Sequence, residues 1–163
     1  GDQLDEHILA PLGLTDTAYL PDRLPEPHAV GYQPGEDGYA EPPNSFSGMG
    51  PSGAMISTSD DLTVWARALV DGELLSASLQ AERFLAEPLA EGPEYDAYGL
   101  GVGSKDGYWG HTGQGLGFTA LAMRHPDTGA SIVVVANASE TEPQPMDAIF
   151  DAVAPIVTEL AAT

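Results

Sequence analysis

The last third of the chain commits it to an antiparallel sheet. Four short segments, residues 98–102, 108–111, 118–125 and 131–137, are rich in aromatic, β-branched and other apolar residues, and Gly, Asp and Pro separate them. Runs this short, punctuated this closely, are read as strands. The connection His125-Pro-Asp-Thr-Gly129 carries hairpin chemistry, and Ser104-Lys-Asp-Gly107 reads as a second hairpin turn.

Helical patterns surround these strands. Leu4, His7, Ile8 and Leu12 share one face, which Pro11-Leu-Gly13 closes. Residues 15–19 read as a short turn or extended piece. Ser57-Thr-Ser-Asp-Asp61 supplies caps and first-turn acids for a helix. That helix carries Leu62, Trp65, Ala66 and Leu69 on one face and stops at Asp71-Gly72. A second helix is expected over residues 76–86, and an amphipathic one over 146–160, where Pro155 allows a kink. Residues 20–53 are rich in Pro and Gly, with hairpin-like pieces at His28-Ala-Val-Gly-Tyr32 and Gly38-Tyr-Ala40. A loop of that length is expected to be a functional wall or lid. The fold class is α+β, an antiparallel sheet flanked by helices. Residues 1–93 form a helical and loop part, and residues 94–163 form the strands and a closing helix.

Charge narrows the partners. Twenty-five acidic residues against five basic give a formal net charge of −20, which excludes the clustered cations that bind nucleic acid or anionic membrane. Such a surface suits high-salt or acidic surroundings, where screening or protonation relieves self-repulsion. The absence of cysteine removes thiol nucleophiles, disulfides and thiolate metal ligands. His7, His28 and His125 have no partner at metal-ligand spacing, so neither metal nor cofactor is expected. No run approaches the roughly 18 apolar residues of a membrane span. The polar start Gly1-Asp-Gln-Leu-Asp-Glu-His7 is no signal peptide and reads as a helix entered partway.

The candidate site is Tyr108-Trp-Gly-His-Thr-Gly-Gln-Gly-Leu-Gly-Phe118. Its glycines precede a strand rather than a helix and no Lys follows, which argues against a phosphate loop. Four further blocks accompany it: Ala10-Pro-Leu-Gly-Leu-Thr-Asp-Thr17, Ser52-Gly-Ala-Met-Ile-Ser-Thr-Ser-Asp-Asp-Leu62, Tyr98-Gly-Leu-Gly101, and Asn137 at the end of the next strand. In this order the blocks resemble the class C β-lactamase / D-alanyl-D-alanine carboxypeptidase / esterase family of serine hydrolases, nearly end to end.

Three signatures mark that family: S-x-x-K, a Tyr- or Ser-centred triplet, and a His/Lys-Thr/Ser-Gly strand. Only the third is present. Lys105 is the sole lysine, with Val102 where the serine would stand, and no tyrosine is followed two positions later by asparagine. The resemblance therefore implies the C-terminal portion of a β-lactamase/DD-peptidase-like domain, its N-terminal part and its nucleophilic Ser and Lys lying outside this chain. It implies an acyl-serine intermediate on a D-alanyl peptide, β-lactam or ester, with amidase specificity open. His111 would be the catalytic, proton-network residue, and Thr112 would hydrogen-bond a substrate carboxylate or carbonyl. Gly113 would admit the substrate backbone, and the Gln114 N–H would be half of an oxyanion hole. Tyr108 and Trp109 are candidates for a substrate wall. A secreted or envelope location follows from the resemblance alone.

Other residues take plainer readings. Ser57, Thr58 and Ser59 are helix caps, Trp65 is core, and Asp60, Asp61, Glu140 and Glu142 are solvated charge. Lys105 and Arg124 are the cations nearest the candidate strand, and Lys105 is expected to point to water from its turn. A small-molecule or peptidyl substrate is the expected partner. A separate N-terminal fragment, or a second copy, could cover an exposed sheet edge. The competing reading is a non-catalytic binding or scaffold module, favoured by the missing signatures.

Overall fold

The computed structural model describes residues 1–19, 24–42, 50, 53–89, 94–139 and 145–162. Glu140, Glu142, Ser52 and much of the Pro/Gly-rich segment lie outside the described residues. Helix α1 is α-helical over Asp2–Leu4, π-helical over Asp5–Leu9 and α-helical again over Ala10–Leu12. Gly13, at φ 68°, ends it. The wide turn shifts the facing register, so Leu9 and Leu14 are buried while His7 is exposed, contrary to the expected stripe.

Strand β1 (Ala18–Tyr19) pairs with β4 (Met55–Ile56), and β2 (Gln33–Gly35) forms a hairpin with β3 (Gly38–Ala40). Helix α2 (Ser59–Asp71) starts at Thr58, whose hydroxyl accepts from the Asp61 N–H at 3.2 Å, and ends on Gly72 at φ 81°. The capping reading of Thr58 therefore stands. Asp61 does not stand in solvent. It is buried, and its carboxylate accepts from the Asp16 N–H at 2.9 Å and the Thr17 hydroxyl at 2.7 Å. A carboxylate three residues into a helix complements the helix dipole, and here it also satisfies two donors from the Asp16–Thr17 segment, which explains its place inside. Helix α3 spans Ala77–Arg83 and α4 spans Pro145–Ala161, with Pro155 inside it.

The main sheet is a meander in the order β10-β9-β8-β7-β6-β5, with every described pairing antiparallel. Its strands are β5 (Glu87–Pro88), β6 (Ala97–Tyr98), β7 (Gly103–Lys105), β8 (Tyr108–Gly115), β9 (Phe118–Arg124) and β10 (Ser131–Ala136). In this sheet two expected boundaries move by more than one residue. Residues 98–102 are not one strand, because the chain turns after Tyr98, with Gly101 at φ 68°, before β7 begins. Strand β8 continues past His111 to Gly115, since pairing with β9 extends through the glycines. The turn comes only at Leu116 (φ 50°) and Gly117 (φ 80°), a two-residue hairpin of the primed kind. Asp106 and Gly107 repeat it between β7 and β8.

Helices cover both faces of this sheet. Met123 joins a core with Leu121, Ile132 and the α4 residues Met146, Phe150 and Ala154. Its neighbour Arg124 necessarily faces the other way and reaches Asp71 at the end of α2, 2.8 Å from Nε and Nη2 to the two carboxylate oxygens. Each large apolar side chain buried in this way contributes about 1.5–3 kcal/mol.

Candidate active-site edge

Strand β7 accompanies β8 only as far as Gly110, so beyond that point the outer edge of β8 meets side chains rather than a named strand. The Thr112 N–H points to this edge, donating to Tyr95 Oη at 2.7 Å. Backbone N–H groups alternate sides along a strand, so the Gln114 N–H is aimed at the same edge. Gly113 stands between them, and a Cβ built on it meets no atom of the described residues within 4 Å. Other glycines of the segment answer to the fold instead. A Cβ at Gly110 would lie 2.0 Å from the Ala122 carbonyl oxygen, and one at Gly117 would lie 2.5 Å from Gly31 C and Tyr32 N.

His111 is exposed on this edge with both ring nitrogens engaged. Nε2 lies 2.7 Å from Tyr98 Oη, and Nδ1 meets the Thr112 carbonyl oxygen. A carbonyl oxygen only accepts, so the neutral ring carries its proton on Nδ1 and Nε2 accepts from the Tyr98 hydroxyl. The rings of Tyr95 and Tyr98 both stand 5.8 Å from the imidazole. The Tyr95 ring lies over Gly103, its hydroxyl is 2.7 Å from Thr112 Oγ1, and burial pushes its phenol above the usual tyrosine range. Glu94 completes the group, with Oε2 3.3 Å from Thr112 Oγ1.

The structure thus brings His111, Thr112, Gly113 and Gln114 onto one strand edge and buries Tyr108 away from it. Tyr108 is not a substrate wall. It is fully buried, stacked edge-on to Phe150 and His125, with its hydroxyl 2.8 Å from Thr158 Oγ1. Trp109 faces the opposite way from Tyr108 and packs edge-on against Phe84 at 4.8 Å. The two nearby cations are committed as well. Lys105 does not extend into water; its Nζ lies 2.9 Å from Asp151 Oδ1 and 5.4 Å from the centre of the Phe150 ring, because α4 places an acid beside that ring. Arg124 holds Asp71.

The sequence reading did not single out Glu94, Tyr95 and Tyr98, which the structure places at the candidate edge. Tyr98 stood inside the Tyr98-Gly-Leu-Gly101 block, which was the one signal available for it. Glu94 and Tyr95 belong to no local pattern. At the far end of β8, the segment around Tyr32 is tied to the β8–β9 turn. The Tyr32 N–H donates to Gly117 O (3.0 Å) and Asn137 O (3.1 Å), and the Asn137 side chain donates to Val30 O (2.9 Å). Part of the long Pro/Gly-rich segment therefore stands beside the end of the candidate strand.

A helix-covered antiparallel meander with a His-Thr-Gly edge defines a β-lactamase-like fold. The chain belongs to the Beta-lactamase family, whose model matches residues 1–155. Among solved structures it is similar to a D-stereospecific amidohydrolase from Streptomyces sp., with a TM-score of 0.79 and 30% identity over 92% of this chain and 47% of that one. It is also similar to the D-amino acid amidase from Ochrobactrum anthropi SV3 complexed with D-phenylalanine. There the TM-score is 0.76, with 27% identity over 94% of this chain and 52% of that one. A penicillin binding protein from Bacillus halodurans shares the fold at TM-score 0.73 and 21% identity, over 94% of this chain and 48% of that one. The chain thus spans about half the length of these proteins. The expected α+β class and the family resemblance both hold. Among the described residues, no helix is long and apolar enough to cross a membrane, and no group of three or more His, Cys, Asp or Glu could hold a metal ion.

Proposed function

We propose that this chain forms the substrate-facing sheet edge of a serine hydrolase that works through an acyl-serine intermediate, with the nucleophile supplied from outside residues 1–163. The observation that carries the reading is the β8 edge. Gly113 is open to within 4 Å there, between the Thr112 and Gln114 N–H groups aimed at the same side. No contact among the described residues requires a glycine at 113, whereas a substrate backbone lying along the edge would. The Gln114 N–H would donate to the oxyanion, an interaction whose loss costs about 10²–10³ in rate elsewhere. His111, held by Tyr98, would act in the proton network. Similarity to the amidohydrolase and amidase favours D-aminoacyl amides or related esters as substrates.

Strand β10 ends the six-stranded sheet, with Val135 55% exposed. An upstream segment of the protein, or a second copy, would pair there. The competing reading, a non-catalytic binding module, draws on the missing S-x-x-K. A fluorescent penicillin and a fluorophosphonate, applied to this chain and to the longest natural polypeptide containing it, separate the two. Covalent label on the longer form supports the hydrolase, and label on neither supports the binding module.

A further inference from the structure

The protons around Thr112 can be assigned one by one. Its N–H donates to Tyr95 Oη at 2.7 Å. The Glu94 carboxylate only accepts, so the single proton of the Thr112 hydroxyl lies toward Glu94 Oε2 at 3.3 Å. The 2.7 Å contact between Tyr95 Oη and Thr112 Oγ1 then has the phenol as donor. Thr112 Oγ1 is left with acceptor capacity and no proton to give, and Glu94 adds a negative charge beside it. Every described cation is engaged elsewhere: Arg67 with Glu73, Arg83 with the Leu69 carbonyl, Lys105 with Asp151 and Arg124 with Asp71.

Resting on the hydrolase reading above, we infer that Glu94 sets specificity, making the Thr112 end of the groove accept hydrogen-bond donors and reject carboxylates. A primary amide NH2 or an ammonium group can donate to Thr112 Oγ1 and Glu94. A terminal carboxylate finds no donor on Thr112, no described cation, and a like charge at close range. The site therefore takes a substrate with an amide NH2 or ammonium group at that end, as the D-aminoacyl amides favoured above have, and peptides ending in a free carboxylate and β-lactams bearing one are turned away.

The test uses unlabelled protein of the form that a parallel sample shows to take up fluorophosphonate, with residues 1–163 intact, and compares kcat/KM for D-phenylalanine amide with that for D-phenylalanyl-D-alanine. The wild type is expected to favour the amide by at least about 100-fold, ~2.8 kcal/mol. Glu94→Gln, which removes the charge and can donate, should narrow that ratio at least about tenfold, ~1.4 kcal/mol, mainly through KM of the dipeptide. Glu94→Asp should keep the preference. An active wild type that favours the dipeptide, or a ratio that Glu94→Gln leaves unchanged, overturns the inference while the hydrolase reading stands. Failure of any form to take up fluorophosphonate overturns both.

Discussion

Replacing Gly103 by alanine should unseat Tyr95. A Cβ at Gly103 would lie 2.2, 2.4 and 2.6 Å from Cδ1, Cε1 and Cγ of the Tyr95 ring. Comfortable carbon contacts are about 3.5–4.0 Å, so one partner must give way by more than about 1 Å. The backbone cannot retreat easily, because Gly103 is buried and paired with Tyr98 on one side and Gly110 on the other. The ring moves instead, and its two 2.7 Å bonds to Thr112 leave hydrogen-bonding range. Overpacking costs about 1–3 kcal/mol and each lost bond about 0.5–1.5 kcal/mol, giving a total of about 2–6 kcal/mol. Urea unfolding followed by circular dichroism reads this directly. A double-mutant cycle assigns it: in a Tyr95→Ala background Gly103→Ala should be neutral within about 0.5 kcal/mol, leaving a coupling of about 2 kcal/mol or more. Equal destabilisation in both backgrounds would refute the seating of Tyr95 on Gly103.

Three further outcomes are expected. Asp61→Ala leaves the Asp16 N–H and the Thr17 hydroxyl without their acceptor. Bonds to a charged group are worth about 1.5–3 kcal/mol each, so a loss of about 3 kcal/mol or more should appear as a lower urea midpoint, and a shift under about 0.5 kcal/mol would contradict it. Tyr98→Phe removes the donor to His111 Nε2, so the Nε2 ¹⁵N shift should move toward that of a nitrogen accepting no hydrogen bond, and kcat/KM should fall about tenfold in the active protein. Unchanged ¹⁵N shifts would show that Tyr98 does not hold the ring. The raised Tyr95 phenol, with burial as its chief cause, gives a pH signature. The folded state keeps the proton longer than the unfolded one, so this stability is present below about pH 10 and is lost as pH rises from there through the folded value. Tyr95→Phe should lack that alkaline fall relative to wild type, and parallel urea midpoints across the range would count against it.

Local chemistry made much of the fold legible. Thr58 as a cap, Asp106-Gly107 as a primed turn, the His125–Gly129 hairpin and the closing helix with Pro155 all rest on interactions within a few residues. What escaped the sequence depends on distant partners. Asp61 is satisfied by Asp16 and Thr17, which lie 45 and 44 residues away, so its own acidic surroundings suggested solvent. Lys105 is neutralised by α4, and nothing near its turn announces that. Tyr108 and Trp109 are neighbours on one strand and therefore face opposite ways, and no local rule tells which face is core. Strand β8 runs through glycines of low strand propensity because pairing with β9 overrides propensity. At the candidate edge, the placement of His111 to Gln114 on one strand could be read from their order in the sequence. Glu94, Tyr95 and Tyr98 reach the same edge only because the sheet folds back on itself.

Intact-mass labelling with a fluorophosphonate tests the hydrolase assignment most directly. The longest natural polypeptide containing this chain should gain one adduct, and peptide mapping should place it on a serine outside residues 1–163. No adduct on any form, or an adduct on a serine within residues 1–163, would contradict an edge that works on a nucleophile supplied from elsewhere.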